Sequence, residues 1–142
     1  MIILAAVVLL ASLYEPPVSA TIERGLPHVE SRDNAMAVSP RGATGLWQVM
    51  PRSACSRIGT NPARPATKSR LAFCDVAARP MAWLWLNPTL GTIAGRAVFR
   101  RYLSRCRGDT RCALRAYACG KAGLRGRCEG YAAAVMAAGG GE

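Results

Sequence analysis

The chain has 142 residues, 51% of them hydrophobic, and carries 19 Lys and Arg against 8 Asp and Glu, a formal net charge of +11. That length suits one domain with its own buried core, and the apolar fraction excludes a disordered polyelectrolyte. The charge, nearly all arginine, draws the chain towards polyanions, namely nucleic acid, anionic lipid or anionic wall polymers. The arginines are spread along the sequence rather than clustered with aromatics, so specific nucleic-acid recognition is not expected.

Met1 to Leu13 is almost wholly apolar. It is short for a membrane span, which needs about 20 residues. It suits the apolar region of a signal peptide, with Val18-Ser19-Ala20 offering small residues for cleavage, although no basic residue precedes it. A competing reading starts a helix at Pro16-Pro17, with Val18, Ile22 and Leu26 at helical spacing. Cleavage after Ala20 removes the first turn of that helix, so residues 1–20 read as a signal peptide or a retained anchor. The domain proper then covers 21–138, with 139–142 as a flexible tail.

The expected first helix ends near Glu30, with Pro27 in its last turns. A loop over 34–46 follows, containing Pro40, Gly42 and Gly45. Helices are expected over 47–58, 68–86, 90–106, 109–118 and 127–138, with Asn61-Pro62 and Pro65 separating the second from the third. Along 90–106, Ile93, Ala97, Val98 and Tyr102 mark an apolar face, with Arg96, Arg100, Arg101 and Arg105 mostly opposite. There is no period-two run and no internal repeat, so the fold class is all-α.

The cysteines are Cys55, Cys74, Cys106, Cys112, Cys119 and Cys128. None forms a C-x-x-C pair and the single histidine, His28, is distant in sequence, so a zinc site is poorly supported. An even set behind an apolar start reads as disulfides in an oxidising compartment. The sequence-local pairs Cys55–Cys74, Cys106–Cys112 and Cys119–Cys128 are one arrangement among several. In a reducing compartment the same residues are buried thiols.

Glu30-Ser31, Ala37-Val38-Ser39 and Gly45-Leu46-Trp47-Gln48, with Met50-Pro51 beyond, form the most informative stretch. It resembles the lytic transglycosylases related to goose-type lysozyme, which carry Glu-Ser, Ala-Val-Ser and Gly-Leu-x-Gln followed by Met-Pro. Asn87 to Gly95 is similar to that family's segment ending in Ala-Gly. Ala116-Tyr117-Ala118-Cys119-Gly120 is similar to its Ala-Tyr-Asn-x-Gly motif, and Tyr14-Glu15-Pro16-Pro17 to its Tyr-x-x-Pro-Pro helix start. The likeness covers roughly residues 17 to 135.

The resemblance implies a lysozyme-like domain that cuts peptidoglycan glycan strands without a cofactor or metal. Glu30 is then the catalytic acid. It protonates the leaving oxygen of the bond between N-acetylmuramic acid and N-acetylglucosamine, and the substrate's acetamido group stabilises the anomeric carbon. As a base, Glu30 next takes the C6 hydroxyl proton while a 1,6-anhydro ring closes. Such an acid needs an apolar, partly closed site that raises its pKa. Taken alone, a Glu near a helix end is usually solvated; only the motif marks this one.

The substrate-binding candidates are Ser31, Ser39, Gly45, Trp47, Gln48 and Tyr117. Ser31 orients the acid or caps the turn. Gly42 and Gly45 permit close backbone approach or positive φ. Gln48 bonds a sugar or Glu30, or is a satisfied helix polar group. Trp47 stacks on a sugar or packs in the core. Tyr117 points its hydroxyl at Glu30 or the acetamido group, or packs in the core. Asp33 is the nearest candidate for a second carboxylate, which a hydrolase requires, or a polar cap at the helix end. His28 is expected exposed rather than catalytic.

Two departures stand out: Ala118 and Gly91 occupy positions where the family carries Asn. The sequence therefore reads as an exported, cell-envelope lytic transglycosylase serving a secretion or conjugation machine or a phage. Membrane contact is expected only through residues 1–14 if these are retained. The alternatives are a goose-type muramidase, a wall-binding component that has lost activity, and a cationic membrane-active protein.

Overall fold

The computed structural model describes residues 17–50 and 86–140. Within them five helices follow in order: α1 (Ala20–Ser31), α2 (Pro88–Arg105), α3 (Thr110–Cys119), α4 (Lys121–Leu124) and α5 (Glu129–Ala138). Extended pairing among the described residues is limited to the isolated bridges Val38–Thr44 and Thr44–Val49. The all-α class read from the sequence holds, and α2, α3 and α5 fall within a few residues of their expected spans. The short α4 was not anticipated. The expected helices over 51–58 and 68–85, and Cys55 and Cys74, lie outside the described residues.

Three of the longer helices start at a side-chain cap. Ser19, Asn87 and Asp109 cap α1, α2 and α3 by accepting from backbone N–H groups of the first turn, which satisfies donors that have no partner inside a helix. Helix α1 therefore begins after Ser19 rather than at Pro16-Pro17. Val18 N donates to Glu23 Oε1 and Arg100 donates to the Pro17 carbonyl, so residues 17–19 are bound to the domain. Pro27 is accommodated inside α1, with its ring buried.

The core gathers Ile22 and Leu26 from α1, Trp47 and Val49 from the loop, Ala94, Val98 and Phe99 from α2, Ala113 and Leu114 from α3, and Ala132 and Val135 from α5. Two disulfides frame it. Cys106–Cys112 closes the α2–α3 turn and Cys119–Cys128 closes the segment from α3 to α5, with Cα separations of 5.8 and 6.4 Å. Both were among the sequence-local pairs.

Helices α1 and α5 run antiparallel at backbone contact. A Cβ on Gly25 would lie 2.0 Å from the Val135 carbonyl oxygen, and one on Gly139 would lie 2.0 Å from the Thr21 carbonyl oxygen. Arg24 seals the same end, its Nε and Nη2 donating to the Gly139 carbonyl at 3.1 and 2.8 Å. Gly139 is buried and held, a correction to the expectation that a flexible tail begins there.

Gly25→Ala is expected to destabilise the protein by about 1–3 kcal/mol, because a methyl group must force two backbones apart. Gly130→Ala on α5, where an added Cβ meets nothing within 4 Å, is expected to stabilise it by about 0.5–1 kcal/mol. Urea unfolding of the two variants checks both signs.

Candidate active site

Glu30 sits in the last turn of α1. Burial raises its carboxyl pKa above the usual 4.5, and a hydrogen bond from Tyr131 offsets part of that rise. The negative end of the α1 dipole acts in the same direction as burial. The antiparallel packing that pairs Gly139 with Thr21 and Gly25 with Val135 brings Tyr131 level with Glu30, and the Tyr131 hydroxyl donates to Glu30 Oε1. Glu30 Oε2 has no hydrogen-bond partner among the described residues. Burial first, and then the Glu30 charge, push the Tyr131 phenol far above its usual range, so it stays a proton donor at all working pH values.

Tyr131 was not among the residues singled out from the sequence. It lies in the first turn of a short, alanine-rich helix and belongs to none of the three motif blocks. The available signal was weak: a tyrosine near a cysteine that pairs back to the segment carrying Tyr117.

The loop from Asn34 to Val49 packs on the end of α1, tied to it through Ser31 and Leu46. Gly42 and Gly45 adopt φ of 87° and 80°, and Gln48 also has positive φ, at 46°. Thr44 and Val49 exchange backbone hydrogen bonds of 3.1 Å, which folds Gly45–Gln48 into a tight turn. Trp47 to Met50 are therefore loop, a correction to the helix expected to begin at 47.

Most of the motif residues build this loop. Ser39 accepts from Ala43 N through Oγ at 3.0 Å and pairs with the Ala43 carbonyl through its own N–H at 2.8 Å, closing the outer turn. Gly45 is buried, and its N–H donates to the Ala37 carbonyl at 2.8 Å. Gln48 Nε2 donates to the Ala37 and Gly45 carbonyls at 3.1 and 2.9 Å. The Gln48 amide thus clamps the two turns together, rather than bonding Glu30 or sitting in a helix. Ser31 Oγ lies 3.0 Å from the Pro27 carbonyl and 2.9 Å from that of Leu46, so it ties the end of α1 to the loop.

Trp47 is 1% exposed. Its indole lies on Gly95 of α2, where a Cβ would come within 2.3 Å of Trp47 Cγ. This corrects the sugar-stacking reading and explains the Ala94-Gly95 pair, since only glycine leaves room for the ring. Tyr117 donates its hydroxyl to the Trp47 carbonyl at 2.6 Å, so its proton is committed to the loop rather than to Glu30. Its ring packs edge-on to Tyr102 and tilted against Phe99, both at 6.4 Å between centroids. Glu30 is still near enough that its charge, after burial, helps raise the Tyr117 pKa.

The other described acids are engaged elsewhere. Glu23 is held by Arg96, Glu129 by Arg111 and Arg115, and Asp109 caps α3. Asp33 Oδ2 lies 2.8 Å from His28 Nδ1, and both side chains are 60% exposed. Among the described residues no cluster of His, Cys, Asp or Glu is arranged to hold a metal.

Because the folded pKa of Glu30 is raised, the native state binds more protons than the unfolded state just above pH 4.5. Stability is therefore lost as pH rises from there through the folded pKa. Glu30→Gln, which keeps an acceptor for Tyr131, is expected to match wild type at pH 4 and exceed it at pH 7 in denaturant unfolding. Equal stability of the two proteins at both pH values contradicts a buried, proton-holding Glu30.

The family description "Transglycosylase SLT domain" matches residues 12–132, spanning the acid, the loop and all of the motif residues above. No curated protein and no solved structure matches the chain. The match covers most of the sequence and the all-α fold agrees with it, so the chain belongs to the transglycosylase SLT domain family, whose members are lytic transglycosylases acting on peptidoglycan.

Proposed function

We propose that this protein cleaves the β-1,4 bond between N-acetylmuramic acid and N-acetylglucosamine in peptidoglycan, leaving a 1,6-anhydro end. The observation that carries this reading is the state of Glu30: a largely buried carboxyl with raised proton affinity, one oxygen accepting from a lasting donor and the other without a partner among the described residues.

Because Tyr131 donates to Oε1, the acidic proton resides on Oε2. That proton passes to the glycosidic oxygen as the C1–O bond breaks, and the acetamido oxygen of the muramyl residue stabilises C1. The Glu30 carboxylate, still held by Tyr131, then takes the C6 hydroxyl proton as O6 bonds to C1. Glu30 ends protonated and no water is consumed. General acid and base roles fall to the same group in sequence, as microscopic proton balance requires.

Hydrolysis, the alternative, needs a second carboxylate to hold water on the opposite face of the sugar. Asp33, the nearest candidate, faces His28 at the surface, which favours the internal ring closure. Ser31, Ser39, Gly45 and Gln48 serve by shaping the wall of the cleft, and Trp47 and Tyr117 by fixing that wall to α2 and α3. The domain works in the cell envelope. Cleavage after Ala20 would delete the Ser19 cap and the contacts of Pro17 and Val18, which argues against that cleavage site, and the segment before them serves as a signal peptide or a membrane anchor. Opening the wall locally for a secretion or conjugation machine, or for a phage, is the use this size of enzyme suits.

Mass spectrometry of the soluble products from purified sacculi tests the chemistry. Wild type is expected to release anhydromuropeptides and Glu30→Gln none; reducing ends from wild type contradict the ring closure. Tyr131→Phe removes a hydrogen bond to a charged group, worth about 1.5–3 kcal/mol. Its rate is therefore expected to fall about ten- to a hundredfold. The wild-type rate is expected to decline as pH rises through the raised Glu30 pKa, since only the protonated acid starts the reaction.

A further inference from the structure

Helix α5 carries Tyr131 in its first turn, and that turn is held differently from the others. Side chains of Ser19, Asn87 and Asp109 cap α1, α2 and α3, whereas among the described residues no side chain accepts from the first N–H groups of α5. The residue at its cap position, Cys128, sits in the left-handed region at φ 66°. A side chain other than Asn or Asp adopts that region at a cost. An uncapped first turn frays, yet the Tyr131 hydroxyl has to stay on Glu30 Oε1.

What fastens this turn comes from α3. Cys128 is bonded to Cys119, the last residue of α3, and Glu129 takes Arg111 and Arg115 from the same helix. The ion pairs stand in water, with the Glu129 side chain 47% exposed and that of Arg111 56% exposed, and such pairs contribute little. The close contacts with α1 lie towards the other end of α5, where Gly25 meets Val135 and Gly139 meets Thr21. The Cys119–Cys128 bond is thus a covalent restraint within one helical turn of Tyr131. Cys106–Cys112 closes the α2–α3 turn instead. Cys119 and Cys128 are both partly exposed, within reach of a small thiol.

Resting on the reading of Glu30 as the acid, we propose that Cys119–Cys128 is a positioning bond for Tyr131 and that it makes cleavage depend on thiol oxidation. A dithiol reductant supplies two electrons and two protons, its own sulfurs pairing as Cys119 and Cys128 become thiols. The first turn of α5 then loosens, Tyr131 leaves Glu30 for part of the time, and the chain cuts slowly. A disulfide oxidant takes the electrons and protons back and restores the rate. An enzyme that opens the wall is in this way restrained until it reaches an oxidising compartment.

The test uses the full chain and reads the coupling between Tyr131 and Glu30. The upward shift of the Glu30 carboxyl midpoint caused by Tyr131→Phe is followed by carbon-13 NMR, with the bond present and in Cys119→Ala/Cys128→Ala. Without the bond that shift is expected to fall below about half. The rate cost of Tyr131→Phe on sacculi is expected to shrink with it, from about ten- to a hundredfold to about threefold or less. Cys106→Ala/Cys112→Ala is expected to keep the full coupling. A dithiol reductant is expected to slow wild type about tenfold, reversibly, and to leave Cys119→Ala/Cys128→Ala at its own rate. An undiminished Tyr131→Phe shift without the bond overturns the proposal, as does an equal loss of coupling in Cys106→Ala/Cys112→Ala. Loss of helical circular dichroism in Cys119→Ala/Cys128→Ala also overturns it, because a positioning bond leaves the fold standing. Product formation is scored apart. Bond-dependent coupling without anhydro products sinks the cleavage reading alone, whereas products with bond-independent coupling sink this inference alone.

Discussion

Backbone-to-backbone contact between α1 and α5 is the constraint on which the site depends. Gly25 and Gly139 let the two helices approach closer than any side chain permits, and Arg24 fixes their register by gripping the Gly139 carbonyl. From that register follows the position of Tyr131, and from Tyr131 the state of the acid. Burial alone penalises the carboxylate and so raises the proton affinity of Glu30. A fixed donor on one oxygen moderates that penalty and leaves the other oxygen to exchange the proton. One carboxyl can then act as acid and base in turn.

The second requirement is a wall that stands still. The Asn34–Val49 loop has little regular structure, yet its polar groups are consumed internally. Gln48 clamps two turns, Ser39 closes one of them, Ser31 binds the loop to α1, and Tyr117 binds it to α3. Trp47, sunk against Gly95, anchors it to α2. These residues thus hold the loop in place against the end of α1.

This explains what the sequence made legible and what it did not. Glu30 was readable because a long, ordered motif surrounds it, and the spans of α2, α3 and α5 were readable from stretches set between Gly, Pro and Asn loops, whereas α1 starts after Ser19 rather than at Pro16-Pro17. The disulfides Cys106–Cys112 and Cys119–Cys128 are two of the sequence-local pairs, one arrangement among several that the spacing left open. Roles within the motif were less readable, since an aromatic or amide beside a catalytic acid looks like a ligand contact until its partner across the fold is known. Trp47 needed Gly95, and Gln48 needed the Ala37 carbonyl, to show otherwise. Tyr131 was missed because only the α1–α5 register, a tertiary fact, brings it to Glu30. The start of a helix at 47 failed because Gly45 and Gln48 adopt positive φ and Thr44 pairs with Val49, so tertiary loop geometry overrode a helical pattern.

The measurement that bears most directly on this account is a carbon-13 NMR titration of the Glu30 carboxyl in wild type and in Tyr131→Phe. The account predicts a wild-type midpoint above the ordinary 4.5 and a further upward shift when the phenol is removed, because burial then acts without its counterweight. A wild-type midpoint at the ordinary value, unmoved by the loss of Tyr131, would contradict both the buried acid and the α1–α5 register that is held to create it.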